Sequence, residues 1–112
     1  MNKKKILNYW NSRADNKTLK CTNDINLEKN EIRYFLKIIK KKKNILDIGC
    51  GDGELLRNLQ KKNKCNCYGI DYSKNLIEVA KKKSKNINYY CMDMNKIKKK
   101  FKTKIKFDFI IT

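Results

Sequence analysis

The chain has no histidine and no proline, only four glycines in 112 residues, one tryptophan and three arginines (Arg13, Arg33 and Arg57). Each shortage removes a class of explanation. Without histidine, no imidazole can activate a cysteine nucleophile such as Cys50. Nor can one complete a zinc site begun by Cys65-Asn66-Cys67; a second cysteine pair is missing too, so no metal is expected. With no proline, no Gly/Ser linker and no internal repeat, the chain reads as one domain or part of one. No apolar run approaches the roughly 20 residues of a membrane span. The N-terminus, MNKKKILNYW, starts basic but lacks the apolar stretch and small-residue cleavage site of a signal peptide. Five cysteines (Cys21, Cys50, Cys65, Cys67 and Cys91) follow no disulfide-scaffold spacing and fit free thiols. The expectation is a cytoplasmic protein without membrane association.

Charge of one sign is abundant: the formal net charge is +18. Such a surface invites a nucleic-acid partner. However, lysine, asparagine and isoleucine fill about half of the chain, and all three have A/T-rich codons, so genome composition alone produces it. Arginine, which suits bidentate phosphate and base contacts, is scarce. Nucleic acid is therefore the disfavoured partner.

Along the chain, residues 2–14 read as a short helix carrying Ile6, Leu7, Tyr9 and Trp10, and residues 15–24 as a polar connection. Asp24 or Asn26 is placed to cap a helix with Ile32, Phe35, Leu36 and Ile39 at helical spacing. That helix runs out in Lys40–Lys43, a solvated end that suits the negative pole of its dipole. Strands and helices then alternate: strand Ile45–Ile48, helix Glu54–Lys62, strand Cys67–Ile70, a helix capped by Ser73, strand Ile87–Cys91, a lysine-rich turn, and strand Ile105–Ile111. Alternation of this kind predicts a parallel sheet with helices on both faces and ligands at the carboxyl ends of the strands.

Those strand ends carry the chemistry. Gly49, Gly51 and Gly53 are spaced G-x-G-x-G within NILDIGCGDGELL, so both the dinucleotide fingerprint G-x-G-x-x-G and the phosphate-loop pattern are absent. Asp52 and Glu54 would repel a pyrophosphate and welcome a cation. Asp71, beside Tyr72 at the tip of the second strand, is placed to accept from both hydroxyls of a ribose. Asp93, at the tip of the third, is placed to accept from an adenine amine, with Met92 and Met94 against the ring. Asp47 is a charge inside an apolar run, which an ammonium group would satisfy. An adenosine joined to a cationic amino acid without phosphates unites these features, and S-adenosylmethionine (SAM) is such a molecule. A purely structural bend, or a nicotinamide or flavin enzyme, explains fewer of them.

ILDIGCGDG resembles the first motif of class I SAM-dependent methyltransferases, YGIDYSKNLIEVAKKK their second-strand segment, YYCMDM their third and FDFIIT their fourth. NYWNSRA and DINLEKNEIRYFLK are similar to the helical lead-in. The resemblance covers residues 44–112 in order, with 1–43 as the lead-in. It implies a Rossmann-like three-layer α/β sandwich with parallel sheet order 3-2-1-4. It also implies that Gly49 and Gly51 pack under the methionyl part, that Asp71 binds the ribose and that Asp93 binds the adenine. The candidate cofactor-binding set is Asp47, Gly49, Cys50, Gly51, Gly53, Asp71, Tyr72, Met92, Asp93 and Met94; no catalytic residue is assigned. In the family the sheet continues for three further strands, so the chain is expected to be a truncated, cofactor-binding part that self-associates through its open sheet edge. The methyl acceptor is unidentified, a small molecule or sugar being slightly favoured. The alternative is a non-catalytic methyltransferase-like module that binds SAM or nucleic acid.

Overall fold

The structure is a computed structural model that describes residues 4, 5, 8, 25–101 and 105–112. Lys4, Lys5 and Asn8 are helical; the rest of the expected first helix, including Tyr9 and Trp10, and the polar connection lie outside the described residues. The elements that follow are helix α1 (Ile25–Ile38), strand β1 (Asn44–Ile48), α2 (Glu54–Asn63), β2 (Asn66–Asp71), α3 (Lys74–Lys83) and β3 (Asn88–Cys91). A 3-10 turn (Met94–Lys96), α4 (Ile97–Lys100) and β4 (Phe109–Ile111) complete them. All pairings are parallel, as the alternation predicts, and the strand order is β3-β2-β1-β4, as the resemblance implies. Because α1 begins at Ile25, Asn26 lies inside the helix rather than capping it, and Asp24 is outside the described residues. Among the described residues no helix is long and apolar enough to cross a membrane.

Chain direction decides which face each helix covers. The connections β1→β2→β3 step the same way across the sheet, so right-handed crossovers put α2 and α3 on one face, with α1 against α2. Ile45, Cys67 and Tyr89 point into that face and pack with Ile39, Leu56, Leu59, Ile77 and Ala80 in a core from which water is almost excluded. The return from β3 to β4 crosses the opposite face. There Tyr68, Tyr90, Phe101 and Phe107 meet edge to face at centroid distances of 5.4 to 6.1 Å, a favoured ring geometry. Lys100 places its Nζ 4.8 Å from the centre of the Tyr90 ring. The second face is thus covered by the short α4 and four interlocked rings.

Two expected strands are shorter than the sequence suggests. The fourth was expected over 105–111, but only Phe109–Ile111 joins the ladder. Phe107 is drawn into the aromatic cluster instead. Asp108 closes the approach to β1: its Oδ2 accepts from the Asn44 amide at 2.7 Å, and its own amide donates to the Asn44 carbonyl at 2.8 Å. The third strand starts at Asn88 rather than Ile87, whose side chain is buried in the core.

Capping follows local chemistry. The Ser73 hydroxyl accepts from the Leu76 amide at 3.3 Å and opens α3, as expected from the sequence. Tyr89 presents an imperfection: its hydroxyl is buried with no hydrogen-bond partner among the described residues, although Arg57 lies close by. Replacing Tyr89 by Phe should therefore leave stability unchanged or raise it by about 1 kcal/mol, because a desolvated donor is removed and the ring is kept. Urea unfolding would measure this. A loss of more than about 1 kcal/mol would show that the hydroxyl bonds to Arg57 in solution.

Candidate functional site

The glycine turn between β1 and α2 spends its amides on the protein itself. Gly49 and Cys50 both donate to the Ile70 carbonyl, at 2.8 and 2.9 Å. Gly51 donates to Asp71 Oδ2 at 2.8 Å, Gly53 to the Cys50 carbonyl at 3.0 Å, and Glu54 to Asp52 Oδ1 at 3.3 Å. A phosphate cradle needs converging amides that point at the ligand. These five point inward, which is a second and independent reason that a pyrophosphate does not suit this turn. Asp71 is the clamp that shapes it: Oδ2 holds Gly51 while Oδ1 accepts from the Ser73 amide at 2.9 Å. Each carboxylate oxygen keeps a further lone pair for a ligand hydroxyl.

Above the turn, at the carboxyl edge of the sheet, lies a cavity of about 780 Å³, a volume within the range of small-molecule sites. Among the described residues seven acids line it: Glu28, Glu31, Asp47, Asp52, Glu54, Asp71 and Asp93. Among the described residues no lysine or arginine does, in a chain whose net charge is +18. Asp52 is answered from outside the lining, since its Oδ2 lies 3.6 Å from Lys83 Nζ.

Asp47 has the most strained electrostatics. Only 6 % exposed, it stands on β1 with no hydrogen bond to its carboxylate among the described residues. Burial first, then the charges of Glu31 and Asp71, push its pKa up to about 7. A buried acid without donors, facing a cavity, asks for a cation.

Nine of the ten candidate cofactor-binding residues line this cavity: Asp47, Gly49, Cys50, Gly51, Asp71, Tyr72, Met92, Asp93 and Met94. Gly53 does not. It caps α2 at φ +82°, and a Cβ there would overlap the Tyr89 hydroxyl and lie 2.7 Å from its Cζ. Its role is to let Tyr89 pass beneath the turn. Cys50 contributes backbone, whereas its sulfur belongs to the core. Asp93 also accepts from the Asn95 amide at 3.0 Å and so starts the 3-10 turn. Cys65 and Cys67 are buried thiols; Cys67 donates to the Leu56 carbonyl, and burial pushes its pKa up to about 12. A thiol so reluctant to ionise is a poor metal ligand.

Sequence reasoning missed the contribution of α1. Leu27, Glu28, Glu31 and Ile32 form one wall of the cavity. Their i, i+1, i+4 and i+5 spacing puts them on one side of the helix, and two acids so close together in a lysine-rich chain were the available signal.

Comparison with known proteins agrees with this arrangement. The profile of a methyltransferase domain family matches residues 39–112. A ubiquinone biosynthesis O-methyltransferase of Coxiella burnetii (strain Dugway 5J108-111) is 37% identical over 90 residues, 77% of this chain and 36% of that protein. The chain thus spans about a third of the length of the curated relatives it matches. Among solved structures, the plantazolicin methyltransferase BpumL, in complex with a pentazolic desmethylPZN analog and SAH, is 34% identical with a TM-score of 0.52, over 74% of this chain and 32% of that one. The cyclopropane synthase MmaA2 from Mycobacterium tuberculosis shares the fold at 22% identity and a TM-score of 0.57, over 69% of this chain and 31% of its own. The glycine turn, the acidic strand tips and the 3-2-1-4 sheet are those of a class I methyltransferase, and the chain belongs to the methyltransferase domain family.

Proposed function

We propose that this chain binds S-adenosylmethionine in the acidic cavity and forms the donor half of an enzyme that methylates a small molecule or sugar. The observation that carries the reading is Asp47, a buried carboxylate with no hydrogen bond among the described residues, facing a cavity that those residues line with acids and with no base. Asp47 would hold the ammonium group, and Gly49, where a Cβ would meet nothing within 4 Å, leaves the floor open for the methionyl part. Asp71 would take the ribose hydroxyls on its remaining lone pairs. Asp93, between Met92 and Met94, would take the adenine amine. When bound, SAM supplies an electrophilic methyl group on a sulfonium, open to in-line attack by an oxygen, nitrogen or carbon nucleophile. The contribution of these residues is alignment and charge balance, which can lower such a barrier without a covalent intermediate or a metal. The relatives named above, one of them solved with SAH, support the same donor.

Isothermal calorimetry with SAM, SAH and NAD tests the reading: SAM and SAH should bind, and preference for NAD would refute it. Asp71→Ala should weaken SAM by about 2–4 kcal/mol, the loss expected for two charge-assisted hydrogen bonds. An unchanged Kd in a variant that still folds would make Asp71 only the clamp between Gly51 and Ser73.

A further inference from the structure

The amino edge of the sheet, opposite the cavity, repeats one feature on every strand. Lys42 precedes β1, Lys64 precedes β2, Lys85 precedes β3 and Lys106 precedes β4, and all four are exposed. Their order across the sheet is Lys85, Lys64, Lys42, Lys106. Neighbouring strands lie about 5 Å apart, so the row spans about 15 Å.

Three of the four turns are tied to one another. Lys42 donates its amide to the Asn63 carbonyl at 3.0 Å, and Asn66 donates to the Lys43 carbonyl at 2.8 Å. Asn44 Nδ2 donates to the Lys106 carbonyl at 3.1 Å, and Asn66 Nδ2 to Asn44 Oδ1 at 3.2 Å. The cations are therefore mounted on a fixed scaffold. Among the described residues Asp108 is the acid of this edge, and its Oδ2 is engaged by the Asn44 amide.

Composition accounts for many lysines but not for these positions. Lys42 (φ 62°) and Lys64 (φ 55°) are the described non-glycine residues with left-handed backbone. Asparagine tolerates that conformation better than lysine, is equally A/T-coded and is abundant in this chain. At such sites the backbone preference favours asparagine over lysine. Lysine stands at both, against the backbone preference.

We infer that this lysine row is a binding surface for the phosphodiester backbone of single-stranded nucleic acid. A row of cations on a rigid edge matches a linear chain of phosphates, and contacts of this kind need no base readout and hence no arginine. An anionic membrane is the poorer partner: Lys42 and Lys85 have only polar neighbours in the sequence, Cys65 beside Lys64 is buried, and Phe107 beside Lys106 packs against Tyr68 and Phe101, so few apolar side chains are left to enter a bilayer. The inference is independent of the cofactor reading, since the two sites lie at opposite ends of the strands.

Fluorescence anisotropy of a labelled 20-nucleotide oligouridylate, titrated with the chain over a range of salt, would test it. Replacing Lys42, Lys64, Lys85 and Lys106 by Asn should weaken binding at least tenfold. It should also lower the slope of log K against log salt by about 3, for four phosphate contacts on a single strand. The same charge change at Lys29, Lys74, Lys96 and Lys98, on elements that begin near the carboxyl edge, should weaken binding less than threefold. Circular dichroism melting would show both variants folded; the Lys85→Asn/Lys106→Asn pair, which leaves the left-handed positions untouched, serves if the quadruple variant is not. Equal losses in the two sets would mean that only net charge matters and would overturn the proposal. Binding to phosphatidylserine vesicles without binding to the oligouridylate would overturn it as well.

Discussion

Asp47→Asn is expected to make the chain more stable at pH 8 while weakening its hold on SAM. The carboxyl group has a pKa of about 7 in the folded protein against 3.8 ordinarily. A raised acid pKa means that the folded state binds the proton more tightly than the unfolded chain does. Its contribution to stability is therefore full below about pH 4 and is lost as pH rises through 7. At pH 8 the ionised, buried carboxylate costs on the order of 4 kcal/mol, from about three pKa units at 1.36 kcal/mol each. Asparagine keeps the shape and removes the charge. Wild type and variant should melt alike at pH 4 and diverge as pH rises, the variant melting higher. SAM affinity should move the other way: in the wild type it should increase as pH rises through 7, and in the variant it should be weak and flat. If the variant melts lower than wild type at pH 8, Asp47 has a stabilising partner and is not waiting for a cation.

Gly53→Ala is expected to lose about 3 kcal/mol of stability. A left-handed backbone at φ +82° costs an alanine about 1–2 kcal/mol. Overlap of its Cβ with the Tyr89 hydroxyl adds about 1–3 kcal/mol more. Chemical denaturation of Gly53→Ala, Tyr89→Phe and the double variant would separate the two terms. Removing the hydroxyl should restore part of the loss, the ring carbon at 2.7 Å keeping the rest. Strict additivity would mean that the contact contributes nothing. Gly49→Ala offers the converse case: its φ is also +82°, but a Cβ there meets nothing within 4 Å. It should lose the conformational term alone, and its methyl group should obstruct the cavity, so that ligand affinity falls further than stability does.

These two glycines show what a sequence can and cannot disclose. In G-x-G-x-G all three glycines look equivalent, and the spacing correctly excludes a dinucleotide turn. That Gly53 serves the core and Gly49 the cavity depends on Tyr89, which comes 36 positions after Gly53 and reaches the turn only once β3 is in place. A parallel sheet was legible because short apolar runs alternate with amphipathic helices, and its order was legible through the resemblance of those runs to the methyltransferase motifs. The extent of β4 was not. FDFII reads as a continuous strand, yet Phe107 is drawn to Tyr68 and Phe101, and Asp108 to Asn44. The acidic wall on α1 was hidden for the same reason. Helical spacing places Glu28 and Glu31 on one side, but only the packing of α1 against α2 brings Glu31 near Asp47.

The central position of β1 has a kinetic consequence. One of its edges is filled by β2, about 22 residues later, but the other waits for β4, and the Asn44–Asp108 hydrogen bond spans 64 positions. Contacts so distant along the chain form late, because loop closure must precede any gain from pairing. The unit β1–α2–β2–α3–β3 is therefore expected to assemble first, leaving the outer edge of β1 unpaired until residues 109–111 dock. Substitutions at Phe109 should speed unfolding and barely slow folding, whereas Ile45→Val should slow folding; stopped-flow fluorescence of the single-site variants would read this order directly.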